Sequence, residues 1–244
     1  MIPFFVHGAF EYLAYATAYW VYLRQRKLIA DPYTANERTS LFLAAAIGGV
    51  IGAHALGICE VLNQVPSMSI FEISQQKTIV GGILGATLAT EIAKYIRKRD
   101  QSTGDLLVVP IAVAIIIGRI GCHLVALHDG TYGSPTDGVF GYDHGDGILR
   151  HPTSLIEMFC VSIVVLVLSL TKRHIRPGDM YRYFMASYMG IRLGLDALKP
   201  SAVSFSYGTA HISVLQIAEL IGALYFLFGT GIVASILSNR AQRS

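Results

Sequence analysis

Two stretches bracket the centre of the chain and decide how the rest is read: GRIGCH at Gly118–His123 and RHPTSLIE at Arg150–Glu157. The first places Arg119 at the end of an apolar run. The second leads into another. Between them lies a polar, Gly-rich segment with His123, His128, Asp129, Asp137, Asp143, His144, Asp146 and His151. A guanidinium at the edge of hydrocarbon costs about 2.5–3.5 kcal/mol on insertion scales, so Arg119 requires a compensating partner. The stretch reads as a lipid-headgroup site open to one face of a membrane.

Composition supports the membrane. The 244 residues are 53% hydrophobic and 14% charged, with mean hydropathy +0.51. Soluble domains carry about 25% charged residues. Seven apolar segments near the ~20 residues needed to span a bilayer run over approximately 4–23, 40–62, 78–97, 105–126, 151–171, 180–198 and 211–237. None shows the alternation of a barrel strand. The fold expected is an all-α integral membrane protein of seven transmembrane helices. A single transmembrane domain spans 1–244, with an outward-facing polar loop at about 122–150.

Charge sets the orientation. Arg24, Arg26, Lys27, Arg38, Lys94, Arg97, Lys98, Arg99, Lys172, Arg173, Arg176, Arg182, Arg240 and Arg243 fall on one side, against Lys77, Arg150 and Lys199 on the other. Fourteen against three places the N-terminus outside and the C-terminus in the cytoplasm. The net charge of +3 is this topological bias, and nucleic acid is not an expected partner. The three cysteines, Cys59, Cys122 and Cys160, form no CxxC.

Arg119 and Asp105, at opposite ends of one segment, are about 21 Å apart along a helix and cannot pair. Arg119 therefore binds a lipid phosphate, which suits its planar fork, or pairs structurally with Glu157 or Asp129. Arg192 and Asp196 are one helical turn apart and can bridge on one face, and Lys199 can snorkel at the boundary. Two arginines on separate helices favour a shared anion site. The polar loop admits three readings: a metal centre, although no ligand signature appears; a general base at His128 or His123; or a cap folded by Gly and Asp turns. His7 and Glu11 share one face of the first helix, as an interfacial pair or a buried one. His54 lies deep in the second helix, and Gly81, Gly82 and Gly85 in the third mean close helix packing or a backbone approached by a headgroup.

These motifs together resemble the bacterial prolipoprotein diacylglyceryl transferases over most of the chain. The resemblance rests on Asn36-Glu37 at the second helix and the GGILG of Gly81–Gly85. It rests also on Asp105 with Gly118-Arg119-Ile120-Gly121, on the family's HPSQLYE element matched at His151–Glu157, on Gly190, Arg192, Asp196, Lys199 and Pro200, and on Gln216 opening the last helix. It implies a phospholipid-dependent enzyme of the bacterial inner membrane, multi-pass and without a cofactor. That enzyme moves a diacylglyceryl group from phosphatidylglycerol to the cysteine thiol of a prolipoprotein lipobox and releases glycerol phosphate. On this reading the catalytic residues are Arg119, Arg192, His128 and Asp129. Asp196, His54, Glu157, His151, Gly81, Gly82 and Lys199 bind substrate. The chain departs from the family pattern where Cys122 replaces an Asn, Val80 a His and His54 an Arg. Those departures leave open a paralogue with a different acceptor, or a non-catalytic lipid-binding protein.

Overall fold

The computed structural model describes residues 2–27, 33–99, 101–199, 204–207 and 210–229. The chain divides into two compact units. One gathers the described residues within Met1–Ala30 and Ser102–Pro200, the other those within Asp31–Gln101 and Ser201–Ser244.

The first unit is built on α1 (Ile2–Arg26), α5 (Val108–Leu124), α7 (Thr153–Thr171) and α8 (Asp179–Asp196). A 3-10 turn over Asp105–Leu107 leads into α5, and the single turn α6 (Ala126–Asp129) follows it. The predicted loop from Cys122 therefore begins later than expected. Cys122 and His123 still lie in α5, and His128 and Asp129 lie in α6. Apolar residues such as Phe159, Leu166 and Leu170 on α7 face outward, as expected where the surroundings are lipid. On α8, Phe184, Met185, Tyr188 and Met189 are wholly buried. Asp105 fixes the start of α8 by accepting hydrogen bonds from the backbone N–H groups of Gly178 and Tyr181. It thus places an anion at a helix N-terminus. Gly178 has φ +95°, which a side chain would strain.

The polar loop is a folded cap. Strands β1 (Tyr142–Asp143) and β2 (Leu149–Arg150) pair antiparallel. Asp143 Oδ1 accepts from the N–H groups of Gly145, Asp146 and Gly147 at 2.8, 3.1 and 3.0 Å. Asp146 holds Arg150 through two 2.7 Å bonds, and the Arg150 guanidinium also lies 4.7 Å over the Tyr132 ring. These carboxylates, considered above as metal ligands, are occupied in making the turn.

The second unit is organised by α2 (Ala35–Glu60) and α4 (Ile79–Ile96). A 3-10 turn at Val65–Ser67 and the short α3 (Ile70–Gln75) connect them. Thr34 and Glu37 form a capping box at the start of α2, and Glu37 also pairs with Arg99. Two GxxxG steps face each other. A Cβ on Gly52 would collide with the Gly81 carbonyl, and one on Gly85 with the Gly48 carbonyl. Small residues let two membrane helices approach until backbones touch. The unit also contains a hairpin of β3 (Ser204–Tyr207) and β4 (Ala210–Ser213), then α9 (Val214–Leu224) extended by a π turn over Tyr225–Gly229. The last predicted segment, 211–237, thus opens as strand rather than helix. The Ser213–Gln216 capping box starts α9, and residues 230–237 lie outside the described residues.

Among the described residues, four helical stretches are long and apolar enough to cross a membrane: Ala35–Glu60, Ile79–Ile96, Asp105–Leu124 and Thr153–His174. The short hairpins aside, this is a helical protein of membrane character. α8 falls outside the four because Asp179, Arg182, Arg192 and Asp196 interrupt its apolar residues.

Candidate active site

α5 and α8 bring their C-terminal halves to the place where α7 begins. Arg119 lies near the end of α5, Arg192 in the last turns of α8, and Glu157 in the second turn of α7. Each charge has the sign its helix end favours, a cation near a C-terminus and an anion near an N-terminus.

Glu157 joins the helices. Its Oε2 lies 2.9 Å from Arg119 Nε and 3.1 Å from Arg192 Nη1, while its Oε1 accepts a 2.9 Å hydrogen bond from the Tyr188 hydroxyl. Arg192 Nη2 binds both oxygens of Asp196 at 2.8 Å. Lys199 Nζ donates to Asp196 Oδ1 at 2.8 Å, so Lys199 turns back along the chain instead of snorkelling outward. Arg119 Nη1 donates to the sulfur of Cys122 at 3.6 Å.

Among the described residues, three cations and two carboxylates meet in this chain of contacts, one cation more than the carboxylates. Buried charges are tolerated when paired and hydrogen-bonded. Glu157 is 1% exposed and Arg192 4%, whereas the side chains of Arg119 and Lys199 retain 14% and 22%. The inner members are held by protein and the outer members are the ones a ligand can reach. Its charge and the fork geometry of arginine suit an anion.

A second polar group sits beyond the end of α5. Asp129 Oδ2 is 2.6 Å from His7 Nδ1 on α1, and Asp129 Oδ1 is 3.1 Å from Nδ1 of the neighbouring His128. His128 is the most open of the three, with a side chain 54% exposed. His123 faces the β1–β2 hairpin instead. Its ring centroid is 4.7 Å from that of Tyr142 and 5.3 Å from that of His144.

The remaining sequence candidates are distributed as follows. His151 contributes backbone: its N–H donates to Ser134 O and its carbonyl accepts from Thr153 N, and Gly133 packs against it. In the second unit, His54 Nδ1 lies 2.8 Å from the Gln76 carbonyl and ties α2 to the segment before α4. Gly81 is used by helix packing, while a Cβ on Gly82 would find only ordinary contacts at 3.6 and 3.7 Å. Thus Arg119, Glu157, Arg192, Asp196 and Lys199 form one cluster and His128 and Asp129 belong to another. Sequence reasoning omitted Tyr188 and the partner of His7. Tyr188 stands one turn before Arg192 on the same face, a signal visible in the sequence. The His7–Asp129 pair joins residues 122 positions apart and left no local signal.

Residues 2–235 match the prolipoprotein diacylglyceryl transferase family. A protein of Campylobacter lari named phosphatidylglycerol–prolipoprotein diacylglyceryl transferase is 27% identical over 164 residues, covering 65% of this chain and 58% of that protein. One of the same name from Methylococcus capsulatus is 25% identical over 247 residues, covering 94% and 90%. Another from Staphylococcus haemolyticus is 24% identical, covering 59% and 53%. The chain thus spans little more than half the length of two of these relatives and nine tenths of the third.

Proposed function

The chain belongs to the prolipoprotein diacylglyceryl transferase family, and we propose that it transfers a diacylglyceryl group from phosphatidylglycerol to the thiol of a prolipoprotein cysteine. The observation that carries this is the Arg119–Glu157–Arg192 bridge with its surplus positive charge. A phospholipid phosphate is the anion we assign to it. Among the described residues Arg119 commits Nε and Nη1 to protein partners, and its Nη2 is the group we assign to the phosphate.

In the proposed reaction the acceptor sulfur attacks the glycerol methylene that carries the phosphate. The carbon–oxygen bond breaks and glycerol phosphate leaves with the electron pair. Arg119 and Arg192 stabilise the charge that develops on the leaving phosphate, the largest single effect available to such a site. Glu157, Tyr188 and Asp196 hold the arginines in place, Lys199 adds charge at the rim, and the group around Asp129 supplies the base. His151 of the first unit and His54, Gly81 and Gly82 of the second are kept as candidate substrate-binding positions.

The reading places the chain in the bacterial inner membrane with seven spans, α1, α2, α4, α5, α7, α8 and the helix beginning at α9. The N-terminus and the cap over about 122–150 face outward. The excess of Lys and Arg on the other side supports this orientation. Scanning cysteine accessibility on intact cells tests it, with labelling expected at Gly138 and not at Lys98. One observation favours a second reading with the same donor and another acceptor. Cys122 takes the place of the family's Asn directly against Arg119, which alters the surroundings of the reacting carbon.

A further inference from the structure

The connection from α7 to α8 carries Lys172-Arg173-His174-Ile175-Arg176. Topology needs only the sum of such charges on one side of a bilayer; here they are gathered into one turn. We infer that this turn is a docking site for the headgroups of anionic phospholipids in the leaflet at that end of α7. The site follows from the membrane character of the chain, whichever reaction the chain performs.

The four polar residues of the turn are unengaged. Lys172, Arg173, His174 and Arg176 are all exposed, and none of their side chains has an ion pair or hydrogen bond among the described residues. Other cations of the chain are taken up by protein: Lys94 by Glu91, Arg99 by Glu37 and Arg182 by Asp179. The carboxylates at the start of α8 are committed as well. Asp179 holds Arg182 at 2.5 Å, and Asp105 accepts from the backbone N–H groups of Gly178 and Tyr181. The turn therefore presents Lys172, Arg173 and Arg176 without a counter-charge of its own.

Its placement and shape suit a headgroup. α7 is apolar to its end at Thr171, with Leu166 and Leu170 exposed on its last turns. The basic turn starts at the next residue of a stretch long enough to cross a membrane, so its cations stand where the acyl region gives way to headgroups. The turn is also held before any lipid arrives. Lys172–His174 form a 3-10 turn closed by the Ile175 N–H on the Lys172 carbonyl at 3.3 Å, and the Asp179 N–H donates to the Arg176 carbonyl at 3.0 Å. Gly178, at φ +95°, is fixed by Asp105. Little backbone ordering is left for binding to cost.

The chemistry selects anionic lipid in particular. Basic residues just beyond a membrane helix are attracted by the negative surface potential of anionic lipids, each cation adding to the effect. Arg173 and Arg176 can also grip a phosphate with two parallel N–H donors, and Lys172 contributes a point charge. A zwitterionic headgroup carries a cation of its own and gains little here. Free phosphate meets the same groups in water, where exposed pairs are weak and screened, whereas a lipid phosphate is delivered at their depth by the bilayer.

The test uses the full-length protein in nanodiscs that mix phosphatidylcholine and phosphatidylglycerol. Leu170→Trp, made with Trp20→Phe to remove the one native tryptophan, places a fluorophore on the lipid-facing turn beside the site. It stands about 20 Å along α7 from Glu157, too far to sense lipid held at the arginine cluster. Quenching by brominated phosphatidylglycerol is compared with quenching by brominated phosphatidylcholine at equal mole fraction, without acceptor peptide, so the result does not depend on the transferase reading. The anionic lipid is expected to be preferred by about fivefold or more at low salt. The preference should be largely lost in about 1 M salt, where the screening length falls to about 3 Å. Lys172→Gln, Arg173→Gln and Arg176→Gln combined should abolish it, and Lys172→Arg, Arg173→Lys and Arg176→Lys combined should keep it. If the glutamine variant does not fold, the salt series on the tryptophan-bearing protein carries the test. Equal quenching by the two lipids at low salt overturns the site. So does a preference that persists in about 1 M salt or in the folded glutamine variant.

Discussion

Arg119 and Arg192, on different helices, share one oxygen atom of Glu157: Oε2 lies 2.9 Å from the first and 3.1 Å from the second. The bridge sets the spacing of the two guanidiniums, and among the described residues the cluster holds one cation more than carboxylates. Glu157→Gln keeps the shape and removes the charge that holds them. It is expected to lower the unfolding temperature in detergent and to reduce phospholipid turnover at least 10²-fold. Glu157→Ala leaves two buried cations short of a partner and should cost about 3–5 kcal/mol, measured by chemical or thermal unfolding. Tyr188→Phe removes one hydrogen bond to the same carboxylate and should cost about 1.5–3 kcal/mol.

The arginines should not be interchangeable with lysine. Arg192 meets both oxygens of Asp196 at 2.8 Å, a geometry an ammonium cannot reproduce. Arg192→Lys and Arg119→Lys are expected to lose most turnover while remaining folded, and Arg119→Ala and Arg192→Ala to lose all of it. Turnover unchanged in both alanine variants would remove the anion site. Loss of folded protein, read by size-exclusion chromatography, would make the arginines structural.

The glycines of α4 separate packing from binding. Gly81→Ala and Gly85→Ala should reduce the yield of folded protein, because the added Cβ meets the backbone of α2. Gly82→Ala should fold, since its nearest neighbours are 3.6 and 3.7 Å away. A lowered turnover in folded Gly82→Ala would assign that position to the headgroup, and an unaltered one would assign it to packing.

The folded cap should loosen in acid in two stages. Burial, and then the nearby Arg150, hold His144 below its ordinary value, so the folded cap favours the neutral ring. Protonation then weakens the cap as pH falls below about 6.5. Asp146 is held down at about 2, chiefly by its hydrogen bonds from Arg150. Its contribution is therefore complete above the ordinary carboxylate range and is lost as pH falls toward 2. Hydrogen exchange at residues 148–150, corrected for the intrinsic rate, should show protection falling between pH 7 and 5. His123, whose ring packs on that of His144 and titrates in the same ordinary range, contributes to the same stage, so His144→Gln should reduce it and His144→Gln with His123→Gln should abolish it.

The helical membrane character was legible in the sequence because hydrocarbon demands long apolar runs. Arg119 and Glu157 announced themselves as polar residues within such runs, and Arg192 and Asp196 paired by helical spacing alone. α8 shows where hydropathy loses its grip, since Arg192 and Asp196 dilute the apolar signal of the helix that carries them. The cap was written in Asp and Gly, which suit turns and metal sites alike, and the three N–H groups on Asp143 show the turn. The pairing of His7 with Asp129 depends on how α1 lies against α5. Its nearest sequence clue, Glu11 one turn away, pointed to a different partner.

The most direct test of the account is to supply the purified protein with phosphatidylglycerol and a lipobox peptide, and to follow peptide and lipid together by mass spectrometry. The account predicts a peptide heavier by one diacylglyceryl group and an equal amount of glycerol phosphate. Lipid consumed with the peptide unmodified would contradict the assigned acceptor, and neither product appearing while phospholipid remains bound would contradict catalysis itself.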